Sequence, residues 1–330
     1  MKFSRFSPAV YADGILSGDR VMLGRAITLI ESRLKEDQEL AQEVLQRIMP
    51  HTGNAFRIGI TGVPGVGKSS FIEVFATALA EEGKKIAVLA IDPSSPKTKG
   101  SIMGDKTRME QLASHPNAFI RPSPAGETLG GVARKTRETM FLCEAAGFEI
   151  IIVETVGVGQ SETAVQSMTD FFLLLMLAGA GDELQGIKKG IMEMADLVVI
   201  TKADGENITQ AQRAKQEYTT ALHLFRTEKP DWSPSVLTCS AVTKEGFEEV
   251  WQLISMYRQK MTENGWLHRQ RTLQNLQWMH NSIKEFLWDE FYQHPIVQQT
   301  LQVLEKEVGE QRTSPLLAAQ KLWETFKAVR

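Results

Sequence analysis

Apolar positions along this chain fall into two alternating patterns. Six short runs are rich in apolar residues, and in most of them the apolar residues are contiguous: 56–61, 84–91, 148–153, 171–177, 195–200 and 235–239. Such runs predict strands buried on both faces of a sheet, because a strand with one wet face would alternate apolar and polar residues. Between them the spacing widens to helical periods. Phe71, Ile72, Val74, Phe75 and Leu79 form one stripe, residues 134–146 another, and Phe247, Val250, Trp251, Ile254 and Tyr257 a third. Strands alternating with helices predict an α/β fold of Rossmann-like type, a mostly parallel central sheet flanked by helices. Two stretches lie outside this alternation. Residues 1–50 carry the stripes Val21, Ala26, Ile27, Ile30, Leu34 and Leu40, Val44, Leu45, Ile48, which predict an N-terminal helical extension. Beyond residue 262 strand signals cease. The stripes Leu273, Leu276, Ile283, Leu287 and Val297, Leu301, Leu304, Val308 predict a helical arm. The expected organisation is therefore 1–50, 51–262 and 263–330.

Where the first strand breaks, Gly62, Val63, Pro64, Gly65, Val66, Gly67, Lys68, Ser69 and Ser70 run into the first helical stripe. This is the G-x-x-x-x-G-K-[ST] pattern in the strand-loop-helix setting that it requires, a P-loop. Its glycines let successive backbone N–H groups converge at the positive end of a helix dipole, forming an anion cradle. Lys68 is placed to reach the β- and γ-phosphates, and the Ser69 hydroxyl to ligate Mg²⁺.

Other strand ends supply the remaining chemistry, since ligands of open α/β sheets sit at the carboxyl edge. The second run delivers Asp92, and the third ends in Glu154 just before Gly157. That placement suits a Mg²⁺-associated carboxylate followed by a γ-phosphate-sensing loop. The catalytic candidates are Lys68, Asp92 and Glu154. Glycine-rich stretches at 100–108, 126–131 and 178–190 are candidate switch segments. The fifth run enters Thr201, Lys202, Ala203, Asp204, and the sixth enters Ser240, Ala241, Val242. A carboxylate at Asp204 offers two acceptors to the adjacent N1–H and exocyclic amine of guanine, whereas adenine presents an acceptor and a C–H there. The Lys202 stem can cover the base, and a backbone N–H near Ala241 can meet the guanine carbonyl.

Composition narrows the class. A chain of 330 residues with 42% hydrophobic and 23% charged residues is ordinary for a folded protein with a sizeable core. A formal net charge of -3 gives no basic surface for nucleic acid or membrane. Cys143 and Cys239 are far apart, without metal or disulfide spacing, and are expected to be buried and reduced. The first residues lack an apolar signal core and no run is long enough to span a bilayer, so a cytoplasmic location is expected. The arm holds Trp266, Trp278, Trp288 and Trp323, and large aromatics on amphipathic helices favour a subunit contact, here a homodimer.

Together these residues resemble the methylmalonyl-CoA mutase-associated GTPases, a family once described as arginine/ornithine transport kinases and grouped with the nickel metallochaperone GTPases. The likeness rests on G-V-P-G-V-G-K-S-S at 62–70, D-P-S-S-P at 92–96, G-D-K-T-R-M at 104–109, V-E-T-V-G-V-G-Q at 153–160 and S-A-V at 240–242. It implies a GTP-hydrolysing chaperone that gates cofactor loading of an adenosylcobalamin-dependent methylmalonyl-CoA mutase and protects that enzyme. It also implies that Asp92, Asp105 and Glu154 join Ser69 around Mg²⁺, and that Asp182 and Lys188 belong to a further switch. In that family Asn usually stands where this chain has Thr201, so the resemblance implies weaker guanine affinity, because a hydroxyl lacks the reach of a carboxamide that donates and accepts together. Two alternatives stand beside it. A nickel-insertion GTPase wants a His-rich or Cys-His cluster, and the six histidines here are scattered. A small-molecule or transport-related kinase wants an acceptor pocket, which no motif marks.

Overall fold

The computed structural model describes residues 5–91, 109–122, 129–155, 161–179, 189–223 and 229–328. Seven strands form one wholly parallel sheet: β1 (Phe56–Gly62), β2 (Ile86–Ile91), β3 (Ala118–Arg121), β4 (Ile150–Thr155), β5 (Phe171–Leu177), β6 (Leu197–Thr201) and β7 (Ser235–Thr238). Their order across the sheet is β3-β2-β4-β1-β5-β6-β7, with β1 between the two halves. Every residue of β1, β4 and β6 is buried, as helices on both faces demand. Six of these strands coincide with the apolar runs. The seventh, β3, is four residues long, only partly buried and at the sheet edge, so it carries no continuous apolar run.

Side chains of adjacent residues on β5 and β6 diverge to the two faces. Leu173, Leu175, Leu197 and Val199 join the larger core with Phe71, Phe75, Ile254 and Tyr257, on α4 (Lys68–Glu81) and on the helix Phe247–Glu263. Leu174, Met176, Val198 and Ile200 join the other core against the helix Ile208–Leu222. Buried charges beneath the sheet form a connected set. Arg57 Nε donates to Glu144 Oε1 at 2.7 Å, the other Glu144 oxygen accepts from Gly53 N–H at 2.6 Å, and the Asp170 carboxylate accepts from Arg57 N–H at 2.8 Å. Removing one partner of such a pair costs several kcal/mol, about 3–5, because a charge is left buried alone.

The N-terminal stretch makes three helices: α1 (Pro8–Leu16), α2 (Arg20–Glu31) and α3 (Lys35–Ile48). They pack on one another and on the helix Leu129–Ala145, where Lys135 Nζ donates to Glu31 O at 2.8 Å and Gln42 to Glu138 at 3.1 Å. Within the expected stripes, Ala26, Ile27, Ile30, Val44, Leu45 and Ile48 are buried, and Leu23 joins them from outside the stripes. Val21 and Leu34 are exposed, because one sits at the helix start and the other is the N-cap of α3.

The chain divides into two compact units, residues 1–268 and 269–330. The helix Trp266–Tyr292 begins in the first, where Trp266 and Leu267 pack against the larger core. In the second unit the helices Pro295–Gly309 and Pro315–Ala328 bury Val297, Leu304, Ala318, Leu322 and Phe326 together. The stripe Leu273, Leu276, Ile283 and Leu287 is exposed throughout, and the helix carrying it buries no residue. Among the described residues no helix is long and apolar enough to cross a membrane.

Candidate nucleotide site

The carboxyl end of β1 builds the phosphate side. Gly62 sits so close to β5 that a Cβ would come within 2.5 Å of the Leu175 carbonyl oxygen, which restricts this position to glycine. The loop then turns through Pro64 and Gly65, both exposed, buries Val66, and enters α4 at Gly67, whose φ of +92° lies in the left-handed region. No side chain caps α4, and its first turn holds no acidic residue. The first N–H groups of the helix are therefore left for an anion, with the dipole adding to their pull. Lys68 Nζ curls back over the loop and donates to Gly62 O at 2.8 Å and Val63 O at 3.3 Å. Burial lowers the pKa of its ammonium, while the nearby carboxylates of Glu154 and Glu162 act in the opposite direction. Ser69 is half-buried on the same first turn, and Glu154 is buried near the end of β4, paired in register with Ile60 of β1. Beside it, the Thr155 and Thr61 hydroxyls meet at 2.7 Å and tie the two strand ends together.

A hydroxyl at the start of α4 and a carboxylate on β4, the strand beside β1, are hard oxygen donors, the kind that suit Mg²⁺ bound jointly with phosphate oxygens. Among the described residues no group of three His, Cys, Asp or Glu side chains gathers into a metal cage. Asp92, Asp105, Asp182 and Lys188 lie outside the described residues, as do the candidate switch stretches at 100–108 and most of 178–190.

The base-reading candidates come from β6 and β7. Thr201 is buried, and its hydroxyl donates to Val66 O at 2.7 Å, with Met176 O at 3.3 Å. It faces the P-loop and ties the end of β6 to the loop's backbone. Lys202 follows in a left-handed conformation, φ 56°, and its Nζ donates to Gly65 O at 2.9 Å. Asn207 supports that turn by donating to Lys202 O at 2.7 Å, a contact that the sequence pattern did not single out. Asp204 Oδ2 accepts from the Ser240 hydroxyl, whose oxygen in turn accepts from Val242 N–H and Thr243 N–H, both at 3.1 Å. Ala203 N–H donates to Cys239 O at 3.0 Å. The structure thus brings Gly62 to Ser70, Thr201 to Asp204 and Ser240 to Val242 to the same sheet edge. Cys239 beneath them is buried with its thiol pKa pushed up to about 12, and Cys143 is likewise buried with its pKa raised. Neither is poised as a nucleophile.

Glu162 was not among the sequence candidates. It is 3% exposed, at the start of the short helix Ser161–Gln166, and bears on Lys68 electrostatically. Its only sequence signal is a carboxylate soon after a glycine-rich turn.

Comparison with known proteins gives a consistent picture. A family model described as methylmalonyl Co-A mutase-associated GTPase MeaB matches residues 23–295. The chain is 51% identical over 268 residues to GTPase ArgK of Escherichia coli K12, covering 81% of each. It is 45% identical over 337 residues to the mitochondrial methylmalonic aciduria type A homolog of Mus musculus, covering 99% of this chain and 81% of that one. A crystal structure of an LAO/AO transport system kinase superposes with a TM-score of 0.78 at 38% identity, covering 98% of this chain and all of that one.

Proposed function

Because the chain belongs to the methylmalonyl-CoA mutase-associated GTPase family, we propose that its GTP hydrolysis serves as a timer for an adenosylcobalamin-dependent methylmalonyl-CoA mutase. In this reading the protein gates cofactor loading and protects the mutase, and the nucleotide state decides when the two engage. The observation that carries it is the coupling of an uncapped helix N-terminus bearing Lys68 to an Asp204-bearing loop, through Thr201 and Lys202. One loop takes phosphate, the other reads a purine edge with two donors, and two hydrogen bonds fix their separation. The family description and the mouse relative's name support the choice of partner.

The residues divide the work. Backbone N–H groups at the start of α4 hold the phosphates, and Lys68 releases its hold on Gly62 O and Val63 O to meet the β- and γ-oxygens. The Asp204 carboxylate accepts from N1–H and the exocyclic amine of guanine. Ser69 and Glu154 would hold Mg²⁺, with Asp92 and Asp105 completing the set. Bound Mg²⁺ supplies charge neutralisation on the phosphates. Asp182 and Lys188 are proposed to respond to partner contact. The exposed stripe on Trp266–Tyr292 is proposed as the homodimer contact, since seven large apolar side chains between Leu273 and Trp288 are exposed on it.

Affinity capture from cell lysate, with the protein held in GDP or in a non-hydrolysable GTP analogue, tests the partner. A cobalamin-dependent mutase enriched in one state is the expected result, and equal recovery of it in both states and in a bait-free control refutes the timer. The transport-kinase name of the solved relative requires phosphate transfer to a second molecule. Release of free phosphate from GTP without any acceptor separates hydrolysis from that chemistry.

A further inference from the structure

The turn between β6 and the helix Ile208–Leu222 is held by Asn207. Lys202 stands in that turn in a left-handed conformation, φ 56°, which a long side chain adopts rarely and which persists only where the surroundings impose it. Asn207 imposes it from two atoms. Its side-chain amide donates to Lys202 O at 2.7 Å and its backbone N–H donates to Asp204 O at 3.0 Å, so one residue holds both carbonyls that flank Ala203. Asn207 is also the N-cap of the helix Ile208–Leu222, a position where an Asn side chain ordinarily accepts from the first N–H groups of its own helix. Here it makes no such bond and is turned to Lys202 instead. The conformation held in this way aims the lysine. From it the Lys202 side chain crosses to the P-loop, where Nζ donates to Gly65 O at 2.9 Å. The Asp204 carboxylate is steadied separately, by the Ser240 hydroxyl.

We propose that Asn207 is a positioning residue for guanine-nucleotide binding: it holds Lys202 in the conformation from which the lysine stem covers the base and ties the base loop to the P-loop. It acts through Lys202 and touches neither base nor phosphate. Without the amide donor, Lys202 relaxes towards an ordinary backbone conformation, which turns φ by about 120° and carries the side chain in another direction. The base face is then uncovered and the contact with Gly65 O is lost. The N–H groups of the P-loop and Lys68 keep their geometry. The loss therefore falls on binding, equally for the di- and the triphosphate, and leaves the hydrolytic step alone. Glycine would take the left-handed conformation without help, but it has no stem to lay on a base. The inference rests on the base-reading function proposed for 201–204.

The test uses the full chain, with GDP affinity measured by calorimetry and GTP hydrolysis in the steady state. Asn207→Ser and Asn207→Asp both lose the donor to Lys202 O, Ser because it is too short and Asp because an ionised carboxylate only accepts; Ser also controls for the charge that Asp adds. Both residues are good helix N-caps, so a role confined to starting the helix leaves them at wild-type affinity. Each should bind GDP about fivefold more weakly, the scale of one neutral hydrogen bond, and raise KM for GTP by the same factor with kcat within about twofold of wild type. A fall in kcat at unchanged KM overturns the proposal, and so does wild-type affinity in both variants. Lys202→Gly shows whether Asn207 acts through the lysine. That variant binds weakly on its own because the stem is gone, and adding Asn207→Ser to it should cost less than about twofold more. An equal fivefold cost in both backgrounds places the effect of Asn207 elsewhere and overturns the proposal. A wild-type chain that holds GDP no better than ADP removes the base-reading function beneath; a wild type that prefers GDP, beside Asn207 variants that bind it as tightly, removes this inference alone.

Discussion

Replacing Asp204 with Asn should shift base preference from guanine towards xanthine, and Ser240 determines how. Its hydroxyl oxygen accepts from Val242 N–H and Thr243 N–H, and its proton goes to Asp204 Oδ2. With both lone pairs taken, that hydroxyl can only donate to residue 204. An Asn there must turn its carbonyl oxygen to Ser240 and its amide nitrogen to the remaining position. The wild-type carboxylate meets two guanine donors with two acceptors; the oriented amide meets them with one acceptor and one donor. One guanine donor is then left facing a donor, at a cost of about 1–3 kcal/mol, or about five- to 150-fold in GTP use. Xanthine carries N1–H beside a carbonyl, the complement of the amide. Steady-state hydrolysis of GTP and XTP by both proteins gives the comparison. Adding Ser240→Ala removes the orienting donor, lets the amide rotate and should shrink the xanthine preference. An Asp204→Asn protein with wild-type GTP parameters and no gain on XTP would show that 201–204 is not the base-reading loop.

Further outcomes follow from the same geometry. Lys68→Ala should abolish detectable hydrolysis with unchanged circular dichroism, because the lost charge opposes negative charge developing on the phosphoryl group and supports nothing in the core; near-normal turnover ends the P-loop reading. Thr201→Val keeps the shape but leaves Val66 O without its 2.7 Å donor, so a lower melting temperature by about 1–2 kcal/mol of stability and weaker GDP binding are expected, with Thr201→Ser restoring both; a Val variant indistinguishable from wild type refutes the tether. Ending the chain at His268 keeps Trp266 and Leu267 on the main core and removes the exposed stripe. Light scattering should then report a monomer where the full chain is a dimer, and a full-length monomer reverses the assignment of the arm.

The sheet was legible because each of its central strands is buried on both faces, so burial wrote itself into the sequence as continuous apolar runs. The edge strand Ala118–Arg121 escaped for the converse reason: with three of its four residues only partly buried, its composition is that of a loop. The helix Pro8–Leu16 escaped too. It buries only Tyr11, Ala12 and Ile15, a small face without a long periodic stripe. At the candidate site, the P-loop and 201–204 stood out in the sequence because the roles proposed for them, holding phosphate and reading guanine, call for those residue types. The direction of a hydroxyl was not. Thr201 reads as a shortened base contact in sequence, yet its oxygen lies against the P-loop, because β6 and β1 end at the same edge with β5 alone between them. Glu162 was hidden similarly, since nothing local in S-E-T says that the helix carrying it will rest on Gly59.

The strand order gives these pieces a division of labour. On one side of β1 lie β5, β6 and β7, whose loops hold Thr201, Lys202, Asp204 and Ser240; on the other lies β4, which carries Glu154 and leads to Glu162. The proposed recognition side is fastened to the P-loop by two hydrogen bonds to the carbonyls of Gly65 and Val66, so the candidate base and phosphate sites form one body. Across β1 the coupling is of another kind. There Lys68 holds the carbonyls of Gly62 and Val63 through one movable side chain, and the nearby carboxylates of Glu154 and Glu162 raise its pKa against the effect of burial. In the proposed reading, guanine recognition is therefore held rigidly, whereas γ-phosphate sensing rests on a side chain that can move. A substitution in the first half should change which base is accepted or how tightly it is held, whereas one in the second should change hydrolysis.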